Sequence, residues 1–239
     1  MVDDALMAIT PVEQQGFVTG RSMDRHLLEV WAKQQEEDKG AWVALDFAKA
    51  FDSMSHQLIE AMLRVIGVEE RWIRVIINFT KGPVGFPVGQ DIPDRRISPA
   101  GGIKQGDTLS PAIYALVTTS LIQALKKRIP GIKMYLYADD TMIWIPGDRS
   151  TVQHVGEQLM AAMQEYAEFS GQKLNVDKCE VVLQGRWADK NFTVGGIKVG
   201  TKIKYLGVFI GKASAEQQYA GPKRRFDRKM YFLRNTSLT

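Results

Sequence analysis

The sequence predicts an α+β fold, a mixed or antiparallel sheet backed by helices on one face, and three observations carry that prediction. Short apolar runs rich in β-branched or aromatic residues stand at 41–45, 133–137, 142–145 and 180–183. Longer stretches with apolar residues at helical spacing stand between them, at 55–66, 70–79, 110–127 and 151–169. The resulting order of strand, helices, hairpin, helix and strand fits a sheet with helices packed against it.

Ala41-Trp42-Val43-Ala44-Leu45 reads as a buried strand ending at Asp46. The stretch 55–66 carries Leu58, Ile59, Met62, Leu63 and Ile66 at helical spacing and is stopped by Gly67, and a second helix follows over 70–79. Residues 84–97 mix Gly, Pro and β-formers, which predicts a hairpin leading into the loop Pro99-Ala100-Gly101-Gly102. A long helix then runs over 110–127, with Pro111 suited to its first turn. Lys133-Met134-Tyr135-Leu136-Tyr137 and Met142-Ile143-Trp144-Ile145 flank Ala138-Asp139-Asp140-Thr141, two strands joined by a tight acidic turn. A helix over 151–169, a strand near 180–183 and a hairpin over 192–210 complete the order. Without internal repeats, low-complexity tracts or linkers, the chain reads as one continuous unit.

The 239 residues are 45% hydrophobic and 24% charged, which suits a large unit with a real core and excludes disorder. No apolar run approaches bilayer length, and Met1-Val2-Asp3-Asp4 lacks the pattern of a secretory signal, so an intracellular protein with no membrane partner is expected. Cys179 is the single cysteine and the three histidines are scattered, which excludes an internal disulfide and a zinc site. Any metal should therefore be held by carboxylates. Net charge is +4, and Lys198, Lys202, Lys204, Lys212, Lys223, Arg224, Arg225, Arg228, Lys229 and Arg234 concentrate positive charge near the end. That stretch reads either as a phosphate-backbone surface or as a solvated helix face.

Asp139 and Asp140 are adjacent at a predicted turn, a costly place for two like charges unless a cation neutralises them. Magnesium-like cations take oxygen ligands, keep several waters and are held by one or two carboxylates plus substrate phosphates. Asp46, at the end of a buried strand, supplies a third carboxylate. Two metals about 4 Å apart would serve phosphoryl transfer without a histidine base. The plainer alternative makes the acidic pair a solvated hairpin tip and Asp46 a cap.

Three segments bear on that choice. Ala44-Leu45-Asp46-Phe47-Ala48-Lys49-Ala50-Phe51-Asp52, Gly102-Ile103-Lys104-Gln105-Gly106-Asp107-Thr108-Leu109-Ser110-Pro111 and Tyr137-Ala138-Asp139-Asp140 resemble, in order, motifs A, B and C of reverse transcriptases. The chain is most similar to the non-LTR (LINE-like) retrotransposon type, with group II intron maturases as closer cousins than retroviral enzymes. Gln15-Gly16-Phe17-Val18-Thr19-Gly20-Arg21-Ser22 resembles the block at the finger-palm junction. Gly171-Gln172-Lys173-Leu174-Asn175-Val176-Asp177-Lys178 resembles motif D, and Lys204-Tyr205-Leu206-Gly207-Val208 resembles motif E.

The resemblance implies a right-hand polymerase palm with partial fingers. Residues 1–40 would be partial fingers and the finger-palm junction, 41–210 the palm with inserted finger elements, and 211–239 the start of a thumb. It implies RNA-directed DNA synthesis, in which a primer 3′-hydroxyl attacks a deoxynucleoside triphosphate during target-primed retrotransposition. Asp46 and Asp139 become the main metal ligands and Asp140 the supporting one, for two Mg2+ ions that Mn2+ can replace. Asp52 is left out as a turn or cap residue, since a helix is expected from Ser53 onward. Phe51 becomes the aromatic gate against a 2′-hydroxyl, against a plain core role. Gln105 and Gly106 line the nascent base pair, Arg21 meets template or triphosphate phosphates, and Lys178 protonates the leaving pyrophosphate. Tyr205, Leu206 and Gly207 support the primer terminus through backbone and packing.

Expected partners are an RNA template, a DNA primer or target, deoxynucleoside triphosphates and the rest of a retrotransposon polyprotein. Synthesis in the cytoplasm and action in the nucleus follow from the family's life cycle. The family's upstream finger strands and full thumb have no counterpart in these residues, and no segment resembles an endonuclease, zinc knuckle or ribonuclease H. A fragment of a larger enzyme is therefore expected. The alternative is a catalytically inert remnant acting at most as an RNA-binding module. An RNA-dependent RNA polymerase shares the acidic turn, and Phe51 argues against it.

Overall fold

The strand expected at 41–45 forms as β1 (Gly40–Leu45) and lies inside a six-stranded sheet. The computed structural model describes residues 8–36, 38–82, 101–187, 190–214 and 216–218. Around β1 the chain places α1 (Met23–Gln35), α2 (His56–Val65), α3 (Glu70–Lys81), α4 (Ser110–Arg128), β2 (Lys133–Tyr137), β3 (Asp140–Pro146) and α5 (Arg149–Ser170). A 3-10 turn (Val176–Lys178), β4 (Glu180–Gln184), β5 (Thr193–Val194), β6 (Ile197–Gly200), β7 (Lys202–Tyr205) and β8 (Val208–Gly211) follow. The sheet order is β2-β3-β1-β4-β6-β5. All pairings in it are antiparallel except β4 with β6, so the sheet is mixed as expected.

The period-2 pattern of the strands divides the core. Ala41, Val43, Leu45, Ile143, Ile145 and Val181 belong to the large cluster that includes side chains of α2, α3, α4 and α5. Helix α4 buries Tyr114, Leu116, Val117, Leu121, Ile122 and Leu125 among others, which none of the other described helices matches. Each fully buried apolar side chain of this size contributes roughly 1.5–3 kcal/mol. Helix α5 is capped by Asp148, whose carboxylate accepts from Thr151 N at 2.9 Å. At its other end Ser170 O accepts from Ser55 N at 2.7 Å, which docks α5 onto the start of α2.

Three expectations are corrected. Helices do not cover one face alone: on the other face Trp42, Met142, Trp144 and Val182 pack with Val30 of α1 and with Ile203, Tyr205 and Ile210. Those alternate strand residues are as apolar as their neighbours, so a second layer was needed to bury them. The stretch 192–210 forms two hairpins, β5–β6 and β7–β8. The first joins the sheet through β6, while β7–β8 is a separate ribbon, the chain changing sheets at Gly200–Thr201. Helix α2 starts at His56 with Ser55 as its cap, not at Ser53. Residues 51–54 stay in a turn because Phe51 O and Met54 O accept from Ile103 N and Gly102 N. The hairpin expected over 84–97, Pro99 and Ala100, and the basic residues from Lys223 to Arg234 lie outside the described residues.

Candidate active site

Strand pairing brings the acidic residues together. In the β1–β3 ladder Leu45 lies opposite Thr141, so one further step in the same register sets Asp46 opposite Asp140. Asp139 belongs to the two-residue loop between β2 and β3, whose last pair is Tyr137 with Asp140. Ala138, the first loop residue, has φ of 58°, a left-handed conformation that such tight hairpins demand. The main chain of Asp46 is fixed from the opposite side: its carbonyl accepts from Asn175 N at 2.8 Å, and its N–H donates to Cys179 Sγ at 3.5 Å. The Asp46 side chain is half-buried and Asp139 is exposed, while Asp140 is reached by solvent on one side and enclosed by protein on the other.

The electrostatics register this convergence. Partial burial, then the negative charges of Asp139 and Asp46, hold the Asp140 carboxyl above the usual carboxylate range. Burial also raises the Tyr114 and Tyr205 phenols, with added pushes from Asp139 and Asp140 respectively. Among the described residues no three His, Cys, Asp or Glu side chains close into a cage that could hold a metal alone. Carboxylates at an open sheet end, with Asp140 crowded by the charges of Asp139 and Asp46, could hold a hard divalent cation only if it completed its shell with water and substrate oxygens.

Phe51 stacks on Tyr114 with ring centroids 4.6 Å apart and 17° between planes. Phe17 meets it edge-on at 6.1 Å. Two aromatic contacts therefore fix the Phe51 ring beside the acidic end while leaving it half-exposed. Gly102 and Ile103 bond the turn after Phe51 through Met54 O and Phe51 O, at 2.7 and 2.9 Å. His56 Nε2 adds a 2.8 Å contact to Gly102 O. Gln105 and Gly106 follow on the same loop and are exposed.

Lys178 ends the 3-10 turn and is exposed. Its N–H donates to Asn175 O at 2.9 Å, and Asn175 N holds Asp46 O, so this lysine is anchored two hydrogen bonds from the Asp46 main chain. Tyr205 is buried, its hydroxyl donating to Tyr135 O at 3.1 Å and lying 2.7 Å from His26 Nε2. Leu206 and Gly207 form the β7–β8 turn with φ of 46° and 89°. Arg21 is half-buried. Its guanidinium donates to Pro11 O, Gln14 O and Thr10 O at 2.6, 2.5 and 2.7 Å. These bonds brace the chain at 10–14.

Some participants were not legible in sequence. Gln172, buried, donates to Ala50 O at 3.1 Å and accepts from Tyr166 OH at 3.0 Å, tying the segment after α5 to the stretch bearing Phe51. His26 is buried on α1, and burial lowers its imidazole to about 4, so it stays neutral. Gln14 is buried against the acidic hairpin. A glutamine or histidine in a polar stretch gives no sequence sign of burial, and helical spacing in α1 was the one available cue.

Residues 1–210 match the family described as reverse transcriptase (RNA-dependent DNA polymerase). The chain is 30% identical over 184 residues to a retrovirus-related Pol polyprotein from the type-2 retrotransposable element R2DM of Drosophila melanogaster, covering 69% of this chain and 17% of that protein. It is 28% identical over 231 residues to the Pol polyprotein of a type-1 retrotransposable element R2 from Nasonia vitripennis, covering 82% of this chain and 21% of the relative. The chain thus spans about a fifth of the length of these relatives. In fold it is similar to telomerase from Candida tropicalis in complex with a fragment of telomeric RNA, with TM-score 0.65 and 11% identity, over 88% of this chain and 35% of that one. The truncated apo form of that telomerase gives TM-score 0.61 and 12% identity, over 88% and 42%. The α+β architecture is that of a polymerase palm.

Proposed function

We propose that this chain, which belongs to the reverse transcriptase (RNA-dependent DNA polymerase) family, is the polymerising part of a non-LTR retrotransposon protein and copies RNA into DNA. The family generally works with divalent metal ions, and two Mg2+, replaceable by Mn2+, would sit here on Asp46 and Asp139 with Asp140 in support. When bound, such ions lower the cost of charge on the attacking and leaving oxygens of an in-line displacement. One observation supports the reading: strand register sets Asp46, Asp139 and Asp140 at the same end of the sheet, and the charges of Asp139 and Asp46 both act on Asp140.

The remaining roles follow from position. Phe51, immobilised on Tyr114, presents a rigid ring where a ribose 2′-hydroxyl would collide. Gln105 and Gly106 lie on a loop bonded to the Phe51 turn, suited to contact the new base pair and its template. Lys178 carries an exposed ammonium on a main chain two hydrogen bonds from that of Asp46, suited to give a proton to departing pyrophosphate. Tyr205, Leu206 and Gly207 form a rigid ribbon turn suited to carry the primer end. Residues 1–40, 41–210 and 211–239 are assigned to partial fingers, palm and thumb start. An RNA template, a DNA primer or target and deoxynucleotides are the substrates, within a larger polyprotein that acts in the nucleus after cytoplasmic synthesis. No helix among the described residues is long and apolar enough to cross a membrane.

Primer extension on an RNA template, with deoxynucleotides and Mg2+, tests the reading. The chain itself, a longer chain carrying flanking polyprotein sequence, and the Asp139→Ala/Asp140→Ala variant of each are compared. Synthesis that disappears with the two carboxylates supports it. Silence from both folded wild-type forms overturns it.

A further inference from the structure

Gln14 is completely buried, and each hydrogen-bonding position of its amide is filled. Its Oε1 accepts from Ala138 N at 2.9 Å and from Gly16 N at 2.9 Å. Its Nε2 donates to Ala138 O at 3.1 Å and to Thr118 Oγ1 at 3.3 Å. Two donors, two acceptors and four partners account for the whole group. Two backbone N–H groups facing one atom identify that atom as oxygen, so the amide orientation is fixed by chemistry.

The target of this amide is unusual. Ala138 has φ of 58°, where a side chain costs about 1–2 kcal/mol and glycine is the ordinary occupant. One side chain takes both backbone polar groups of this strained residue, directly before Asp139. The clamp is itself anchored. Gln15 N donates to Leu136 O and Leu136 N to Glu13 O, at 2.8 and 2.9 Å, so residues 13–15 extend along β2. Arg21 braces the same segment through Thr10, Pro11 and Gln14 carbonyls. Gly16 permits the approach, since a Cβ there would lie 2.2 Å from Ala138 N. Thr118 ties the amide to α4, the central helix.

We propose that Gln14 is a positioning residue for the acidic hairpin, holding Ala138 in its left-handed conformation so that the Asp139 carboxylate points into the metal site. The inference rests on the polymerase reading for the meaning of that site, but the clamp can be measured without synthesis. The probe is Mn2+ alone, bound to the full chain and followed by water-proton relaxation, with Asp139→Ala defining loss of the site. Gln14→Ala should weaken Mn2+ binding by about tenfold, the scale on which partners that orient a ligand usually act. Adding Ala138→Gly to that variant should restore most of the affinity and raise the thermal midpoint, because glycine adopts the turn without help. Primer extension should show the same shift in the metal concentration giving half-maximal rate, with nucleotide KM little changed.

Unaltered Mn2+ affinity in a folded Gln14→Ala chain overturns the proposal, as does a loss that Ala138→Gly fails to repair. If Gln14→Ala does not fold, the isosteric Thr118→Val, which removes one amide partner, decides: a reduction of about two- to fivefold supports the clamp, and no change refutes it. A wild type that binds Mn2+ through Asp139 yet never extends a primer overturns the functional reading and leaves the clamp standing. A wild type whose Mn2+ binding ignores Asp139→Ala overturns both.

Discussion

Gly102→Ala is the substitution that most directly tests how the Phe51 turn is held. A Cβ at position 102 would lie 2.4 Å from Asp52 O, 2.6 Å from its carbonyl carbon and 2.7 Å from its Cα, all closer than the 3.0 Å below which real Cβ contacts are essentially absent. Backbone rather than a flexible side-chain tip blocks the space, so the loop must move by more than half an ångström, at least about 0.6 Å at the closest atom. That shift strains Gly102 N→Met54 O, Ile103 N→Phe51 O and the His56 contact to Gly102 O. Losing two or three such bonds costs about 1 kcal/mol each, and an alanine at φ of 88° adds about 1–2 kcal/mol. The total is about 3–5 kcal/mol. Gly106→Ala is the internal control, with φ of 86° on the same loop and nothing within 4 Å of its would-be Cβ. It should lose only the conformational part, about 1–2 kcal/mol. In urea the Gly102→Ala midpoint should fall roughly 1 M below that of Gly106→Ala, for a slope of about 2–3 kcal/mol per molar. Coincident midpoints would refute the argument that backbone contact with Asp52 sets the geometry beside Phe51.

Asp140→Asn should raise the apo melting temperature at pH 7 while abolishing synthesis. The folded chain holds this carboxyl above its usual range, through partial burial and then Asp139 and Asp46, so ionisation costs stability. That cost is absent below the unfolded value, about 3.9, grows as pH rises toward the folded value, and stays in full above it. Calorimetry at pH 7 and near pH 3.5 checks that the difference closes in acid. His26 runs the other way. It is lowered to about 4 by burial, so stability should be full above about pH 6.5 and fall as pH drops toward 4, by about 3 kcal/mol. His26→Gln should flatten that part of the stability curve in urea titrations. Phe51→Ala should relax discrimination against ribonucleotides by about tenfold or more, read from paired single-nucleotide incorporation rates; unchanged discrimination would return Phe51 to a plain core role. Lys178→Ala should lower kcat by about tenfold to a hundredfold with little effect on nucleotide KM.

Much of this was legible because strand ends and acids are marked locally. The apolar run before Asp46 and the paired runs around Ala138-Asp139-Asp140 were read within a residue or two of β1, β2 and β3. The helices over 55–66, 70–79, 110–127 and 151–169 likewise appeared near their expected bounds. What escaped depended on distant partners. Gly200–Thr201 carries no local mark of a change of sheet, so two hairpins read as one. Gln14 and Gln172 are polar in composition, but each spends its amide on main chain more than a hundred residues away.

The site is assembled chiefly by backbone bonds between its separate segments, which leaves its functional side chains available. The Asp46 end of β1 is joined to the segment after α5 through Asn175 N→Asp46 O and Ala48 N→Lys173 O, each 2.8 Å. The Phe51 turn is joined to the glycine loop before α4 through Gly102 and Ile103. β3 holds the acidic hairpin against β1 by ladder pairing. Such bonds fix where Cα–Cβ vectors point without using any carboxylate, ammonium or amide that the proposed function assigns to substrate. The β2–β3 turn combines an unfavourable φ at Ala138 with exposed carboxylates, and it receives a buried side-chain clamp from Gln14. If preorganisation is carried by this network, variants that cut a backbone link or the side-chain clamp, such as Gly102→Ala or Gln14→Ala respectively, should lower the rate of the chemical step by more than they weaken binding of RNA-primer duplex. Equal losses in duplex binding and single-turnover rate would instead assign these links to stability alone.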